Sequence, residues 1–296
     1  DKEGGYRDNG IARVMEFANL ISPEQSRFFN WSKPFVQLET TRGCFNTCAF
    51  CVSGGEKPVR TLSIEVIRER LKEIHRHGIK NIRVLDRTFN YNNKRAKELL
   101  NLFLEFSPDI CFHLEIHPAL LSEELKQELA KLPKGLLHLE AGIQSLREPV
   151  LEQSRRMGRL SDALNGLKYL CALPNMETHA DLIAGLPLYH LSEIFEDIRT
   201  LAEYGAGEIQ FESLKVLPGT EMRRRAEELG IQYAPLPPYE VLQTREISVD
   251  ELQTARYLSR LLDGFYNTPA WQSITRKLIL ENQTFLHELL NHLIEI

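Results

Sequence analysis

Three cysteines stand close enough together to share one metal cluster. Cys44, Cys48 and Cys51, in the spacing C-x3-C-x2-C, follow the run Phe35-Val36-Gln37-Leu38-Glu39-Thr40-Thr41-Arg42-Gly43. A loop that leaves a strand with thiolates four and three positions apart can wrap three corners of a cubane, and thiolates are the ligands of iron–sulfur clusters. Three ligands on four irons leave one iron open. An open position is what lets a metal centre bind and act on a substrate. With five cysteines in 296 residues, chance gives such a triple only about 0.001 times, so the spacing is a signal.

Other chemistries fit less well. Zinc would want a fourth ligand nearby, and His75 and His77 lie well downstream in a helical stretch. An iron–sulfur electron carrier would need a fourth cysteine in C-x2-C-x2-C-x3-C or C-x4-C-x2-C, and neither pattern occurs. Cys111 and Cys171 sit in apolar runs and read as small buried hydrophobes.

The elements that must position the loop alternate strictly. The first strand, Phe35 to Thr41, is followed by the cysteines and a helix from Ile64 to His77, opened by Ser63 and ended by Gly78. Strand Asn81 to Leu85 precedes helix Lys94 to Phe106, and strand Cys111 to His117 precedes helix Ser122 to Ala130. Strand Leu136 to Ala141 precedes helical stretches through Leu173, and strand Met176 to Ala184 precedes helix Leu191 to Tyr204. Strand Glu208 to Val216 precedes helix Glu221 to Leu229. Six such units predict right-handed crossovers and a parallel sheet: an α/β fold, a partial (β/α)6 TIM-like barrel.

Parallel strands covered on both faces read as continuous apolar runs, yet these alternate. His113, Glu115 and His117 oppose Phe112, Leu114 and Ile116, and His138 and Glu140 oppose Leu137 and Leu139. Glu177, His179 and Asp181 oppose Thr178, Ala180 and Leu182, and Glu208, Gln210 and Glu212 oppose Ile209 and Phe211. With helices outside, the polar set must line a lumen. An antiparallel sheet with one wet face would alternate too, but it needs hairpins, and helices separate these strands.

Residues 1–33 read as a lead-in or linker, weakly helical over Ile11 to Leu20, and 34–232 as the barrel. Residues 233–296 read as a stiff Pro-rich connector, Tyr233 to Tyr239, and a helical C-terminal extension. There Ser248-Val249-Asp250-Glu251 is a capping box opening a helix from Leu252 to Tyr266, with a break at Pro269 and helices to Ile296. The helical spacing of its apolar residues predicts packing against the barrel. A start at Asp1 is what a piece of a longer protein would show. The formal charge of −5 and the isolated Arg223-Arg224-Arg225 argue against a nucleic-acid partner. No long apolar window or signal pattern points to a membrane or to export, and an exposed reduced cluster suits a reducing cytoplasm.

The first strand, the loop Cys44-Phe45-Asn46-Thr47-Cys48-Ala49-Phe50-Cys51 with an aromatic residue just before its last cysteine, and the strand ends downstream resemble the radical S-adenosylmethionine (SAM) superfamily. From about Phe35 to Gly219 the chain is similar to oxygen-independent coproporphyrinogen oxidases and their relatives. The resemblance implies a [4Fe-4S] cluster on Cys44, Cys48 and Cys51, whose open iron chelates SAM, and an electron donor such as flavodoxin or ferredoxin. It also implies reductive cleavage of SAM to a 5′-deoxyadenosyl radical that acts on a small or medium-sized substrate. Phe50 would touch the adenine. Glu115 in Glu115-Ile116-His117-Pro118, Gln144 in Ala141-Gly142-Ile143-Gln144-Ser145, Arg155 or Arg156, and Asp181 in Asp181-Leu182-Ile183-Ala184-Gly185-Leu186-Pro187 would hold SAM. Leu217-Pro218-Gly219-Thr220 resembles the motif closing the sixth strand.

Where that family often has Gly-Gly after the second strand, this chain has Leu85-Asp86-Arg87-Thr88-Phe89-Asn90, with Asp86 the cofactor-binding candidate there. That stretch and the C-terminal extension resemble radical SAM proteins that follow a cobalamin-binding domain, so cobalamin-dependent methyl transfer is the alternative activity. Methylthiotransferases acting on tRNA carry further cysteine-bearing and RNA-binding domains, and neither is visible. His113, His138, Glu140, His179 and Glu212 are the candidates for substrate chemistry in the lumen.

Overall fold

Strands that alternate apolar and polar residues are stable only where one face meets helices and the other a polar interior. The computed structural model, which describes residues 16, 17 and 20–294, meets that condition. Its elements run β1 (Val36–Leu38), β2 (Thr41–Arg42), β3 (Arg60–Thr61), α1 (Ile64–Arg76), β4 (Asn81–Val84) and α2 (Asn93–Leu104). They continue with β5 (Cys111–Ile116), α3 (Glu123–Lys131), β6 (Leu137–Gln144), α4 (Glu148–Gln153), α5 (Leu160–Cys171), β7 (Glu177–Ala184), α6 (Leu191–Tyr204) and β8 (Glu208–Ser213). Then come α7 (Glu221–Arg224), α8 (Ala226–Leu229), β9 (Gln232–Tyr233), β10 (Val241–Gln243), α9 (Val249–Leu261), α10 (Pro269–Glu281) and α11 (Phe285–Ile294).

Six strands form one sheet in the order β1-β4-β5-β6-β7-β8, and each neighbouring pair is parallel. Phe35 ahead of β1, Arg83, His113, His138, His179, and Glu208 with Gln210 of β8 all line one cavity of about 520 Å³. A flat sheet could not bring its first and last strands around one space. The sheet therefore curls into a partial barrel, open between β1 and β8.

The apolar faces of the strands point outward under the helices. Phe112, Leu114, Leu139, Ala180, Leu182 and Ile209 are buried against helix residues such as Leu71, Phe103, Leu129, Leu167 and Ile198. Phe103 of α2 stacks on Phe112 of β5 with ring centroids 4.0 Å apart.

Several boundaries differ from the sequence expectation. β1 stops at Leu38, because the next residues leave the sheet and pair as β2 with β3. β6 runs three residues beyond Ala141. β8 ends at Ser213, ahead of Pro218, and the helix expected over Glu221 to Leu229 breaks at Arg225 (φ −101°, ψ 10°). The Pro-rich stretch is no stiff connector but the turn of a hairpin, β9 pairing antiparallel with β10. The weak helix over Ile11 to Leu20 falls largely outside the described residues.

The C-terminal helices cover the free edge of β8. An edge strand leaves its ladder groups unpaired, and Asn267 takes both groups of Ile209: its Oδ1 accepts from the Ile209 N–H at 2.9 Å and its Nδ2 donates to the Ile209 carbonyl at 3.1 Å. Tyr266 donates to the Ala206 carbonyl at 2.8 Å. The Ser248–Glu251 capping box forms as expected. Asn267→Ala is expected to cost about 1–3 kcal/mol, two hydrogen bonds at a strand edge. Urea midpoints check this, with Asn267→Asp, which sets a carboxylate oxygen against the Ile209 carbonyl and the Asp263 carboxylate, losing at least as much.

Candidate active site

The cysteine loop is held by its surroundings at almost every step. Ahead of it, the buried Asp86 carboxylate accepts from the Thr40 and Thr41 backbone N–H groups at 2.8 and 2.9 Å and from the Thr40 hydroxyl. Arg95 of α2 donates to the Thr40 and Leu62 carbonyls at 3.2 and 2.8 Å. Gly43 has φ +103°, and a Cβ there would meet the Glu56 carbonyl oxygen at 2.5 Å, so only glycine fits the turn into Cys44. Inside the loop the Ala49 N–H donates to the Ser154 carbonyl at 2.8 Å, and the Met222 N–H donates to the Ala49 carbonyl at 2.7 Å. The Asn46 side chain accepts from the Met157 N–H at 3.2 Å. The loop is thus tied to the segments that follow β6 and β8, after α4 and in α7, on the C-terminal face of the sheet.

All three cysteines are free, Cys44 and Cys48 buried and Cys51 half-buried. Burial pushes the Cys44 and Cys48 thiols up, and charge on Cys51 would push both further. The Arg156 guanidinium beside them acts in the opposite direction, Nη1 donating to Cys48 Sγ at 3.9 Å and Nη2 to the Gly142 carbonyl. Three clustered thiolates are unfavourable here without a cation among them, and a metal cluster supplies one. The donor set suits iron and sulfide.

Next to the thiols, two acceptors point inward with no partner among the described residues: Gln144 Oε1 and Asp181 Oδ1. Gln144 ends β6 with φ +67°, a left-handed backbone at a strand end. Buried polar atoms are normally satisfied, so this pair fits a polar ligand. Burial holds Asp181 well above the usual carboxylate range, and Glu140 beside it acts in the same direction. Glu140 is held low, first by its hydrogen bond from His113 (2.7 Å). The pKa values of the two neighbouring carboxyls are thus driven apart, Asp181 raised and Glu140 lowered. Burial also pushes up Glu115, which faces Arg87 at 3.8 Å. A carboxyl with a raised folded pKa contributes stability that is full below its unfolded value, about 4, and falls as pH rises through the folded value. Asp181→Asn, which cannot ionise, is expected to remove that fall, measured as denaturation midpoints from pH 4 to 8.

The sequence candidates divide on this geometry. Cys44, Cys48, Cys51, Gln144, Asp181 and Glu115 gather around the C-terminal end of the lumen, and the half-buried Phe50 packs against the core beside Cys51. Arg155 does not join them: it has φ +52° and is turned out, 55% exposed, onto Glu221 at 2.6 Å. Its neighbour Arg156 takes the inward place. Asp86 is not free to hold a cofactor, because both its oxygens hold residues 40 and 41. Glu212 leaves the lumen at the open edge, 71% exposed and 3.8 Å from Lys215. His113, His138 and His179 do meet, with centroids 4.8–6.1 Å apart, but near the N-terminal ends of their strands, away from the cysteine face.

Some supporting residues escaped the sequence reading. Asn90 exchanges two hydrogen bonds with the backbone of His117, at 2.8 and 3.0 Å, fixing the end of β5. The His117 ring donates through Nε2–H to the Met157 carbonyl at 3.0 Å, and burial drops its pKa to about 3. No spacing rule announces an asparagine bridging two strand ends; a lone Asn after a strand was the only trace.

Comparison with known proteins fits this arrangement. Residues 227–291 match a family described as a protein of unknown function (DUF4080). The ribosomal protein uS12 methylthiotransferase RimO of Clostridium tetani is 26% identical over 68% of this chain and 46% of its own length. A tRNA-2-methylthio-N(6)-dimethylallyladenosine synthase of Herpetosiphon aurantiacus is 25% identical over 76% of this chain and 53% of its own. The chain spans about half the length of these curated relatives. Among solved structures, the radical S-adenosylmethionine methyltransferase TsrM of Kitasatospora setae aligns with a TM-score of 0.58 and 17% identity, over 69% of this chain and 43% of that one. The cobalamin-dependent S-adenosylmethionine radical enzyme OxsB aligns at 0.56 and 16%, over 87% and 47%. These two share the fold. Residues 38–211, more than half of the sequence, match the radical SAM superfamily, and the chain belongs to that superfamily of enzymes, which work with a [4Fe-4S] cluster and SAM.

Proposed function

We propose that Cys44, Cys48 and Cys51 hold the cluster of a radical SAM enzyme, and that Arg156, Gln144, Asp181 and Glu115 hold SAM above a polar lumen. The barrel, 34–232, would carry the chemistry on a small or medium-sized substrate, with 233–296 as an extension over its edge. The observation that carries this reading is the pair of unpartnered buried acceptors, Gln144 Oε1 and Asp181 Oδ1, beside three clustered thiols. When bound, the cluster supplies the single electron that splits SAM into methionine and a 5′-deoxyadenosyl radical.

The chain's own residues bind and orient. Arg156 keeps its charge at neutral pH despite burial, because a guanidinium starts from so high a pKa. It can pair with the methionine carboxylate while steadying Cys48. Asp181, whose pKa burial and Glu140 raise, presents its unpartnered Oδ1 as an acceptor for a ribose hydroxyl or an amino group. Glu115 offers a second acceptor, with Arg87 beside it. An external donor such as flavodoxin or ferredoxin would supply electrons at the cysteine face.

Anaerobic reconstitution with iron and sulfide, followed by electron paramagnetic resonance of the reduced protein, tests this site. About four irons per chain and a signal that shifts when SAM is added are expected; a signal indifferent to SAM would refute it. Arg156→Ala is expected to lower SAM cleavage about 10–100-fold, from the loss of a buried charged hydrogen bond. Arg155→Ala should change it less than about threefold, as a surface ion pair would. Cobalamin-dependent methyl transfer is the second reading, favoured by the Leu85–Asn90 segment, where Asp86 is committed to Thr40 and Thr41. S-adenosylhomocysteine formed only with added cobalamin would select it.

A further inference from the structure

The far end of the lumen carries a second set of metal ligands. One donor atom each from His138, His179 and Glu208 lie within 4.8 Å of one another. They come from three adjacent strands, β6, β7 and β8. Register sets His179 opposite Glu208, while His138 lies opposite Glu177, two residues before His179, so its longer reach along the sheet face brings its ring to the pair. Two imidazoles and a carboxylate are the donors of zinc and iron(II) sites.

The surroundings favour a cation over a hydrogen-bond network. His138 Nε2 and His179 Nδ1 are buried with no partner among the described residues, although the His179 side chain is only 6% exposed. The other ring nitrogen of His179 meets the Glu208 carboxylate, with the Gln210 amide 3.5 Å away. His113 is already engaged by Glu140 at 2.7 Å, which leaves the other three as the ligand set. Arg83, the cation lining the same space, is drawn aside, its guanidinium 4.1 Å from the centroid of the Phe35 ring. Tetrahedral bonds near 2.1 Å set ligand atoms about 3.4 Å apart, so the widest pair, within 4.8 Å, must close by up to about 1.4 Å while the His179–Glu208 contact opens.

We propose that His138, His179 and Glu208 bind one divalent transition-metal ion of the zinc or iron(II) class at the N-terminal mouth of the barrel, separate from the cluster. It would leave coordination positions open to the cavity of about 520 Å³. It would also cross-link β6 and β7 to β8, the strand at the barrel's open edge.

The site sits below the level of Glu115 and Asp181, on the side of the lumen away from the cysteine face. His113 and His179 lie two residues before Glu115 and Asp181, about 6–7 Å lower along the strands. A metal here neither needs nor disturbs the thiols. The test uses the full chain with its iron–sulfur cluster in place, so that the cysteines cannot capture zinc. Protein is equilibrated with Zn2+, dialysed, and its zinc and iron counted together.

About one zinc per chain is expected in addition to the cluster iron, with X-ray absorption showing a nitrogen and oxygen shell. Glu208→Gln, close in size and at the cavity rim, and His138→Ala should each weaken zinc binding more than about tenfold with iron content unchanged. Zinc should raise the melting temperature of the unsubstituted protein and not of Glu208→Gln. Zinc lost on dialysis from the unsubstituted protein, zinc held equally by both variants, or sulfur in the zinc shell would overturn the proposal.

Discussion

Cys48→Ala is expected to leave a folded chain that cannot retain a four-iron cluster and whose SAM cleavage falls by at least a thousandfold, about 4 kcal/mol of lost catalysis. The reason is positional. Cys48 is buried, takes the Arg156 contact, and directly precedes Ala49, whose N–H and carbonyl anchor the loop to Ser154 and Met222. The loop backbone is held by bonds that do not involve its thiol, so the fold should survive its removal. Far-UV circular dichroism close to that of the unsubstituted protein, together with iron counts, separates loss of the site from loss of the fold. Cys171→Ala is the control: its thiol is pushed up to about 12 by burial, and it should keep full iron.

The second large effect is expected at Asp86. Its carboxylate holds two backbone N–H groups and a hydroxyl in a buried position ahead of the cysteines. Asp86→Ala strands all three donors and should cost about 3–5 kcal/mol, with iron uptake falling in parallel. The sign of its pKa shift makes the contrast informative. Burial raises the Asp86 pKa, so the fold gains nothing from the charge itself. Asp86→Asn, whose carbonyl can accept both backbone bonds, should therefore stay within about 1 kcal/mol and load iron normally. Guanidinium midpoints and iron content measure both variants. If Asn behaved like Ala, the charge would matter and the positioning argument would fail.

Much of this architecture was legible because it follows from periodicity. Helix Leu191–Tyr204 and the alternation of His113, Glu115, His138 and Glu140 against leucines are local patterns with a fixed geometric meaning. The cysteine triple and the strand ends carrying Gln144 and Asp181 were visible for the same reason. What stayed hidden depends on contacts between distant segments. Nothing near Asp86 shows that its oxygens will be consumed by residues 45 and 46 positions earlier. Choosing Arg156 over Arg155 requires the left-handed turn at Arg155, and leaving Glu212 out of the lumen requires the barrel to be open at β8. The Pro-rich stretch looked like a spacer because its pairing, β9 on β10, is set by short strands with almost no pattern of their own.

The measurement closest to the central claim tracks the nucleoside products of SAM. Protein reconstituted anaerobically is mixed with SAM and dithionite, and products are read by mass spectrometry. 5′-Deoxyadenosine is expected, absent with Cys48→Ala and strongly reduced with Arg156→Ala. A fully loaded cluster that neither binds nor cleaves SAM would contradict that expectation.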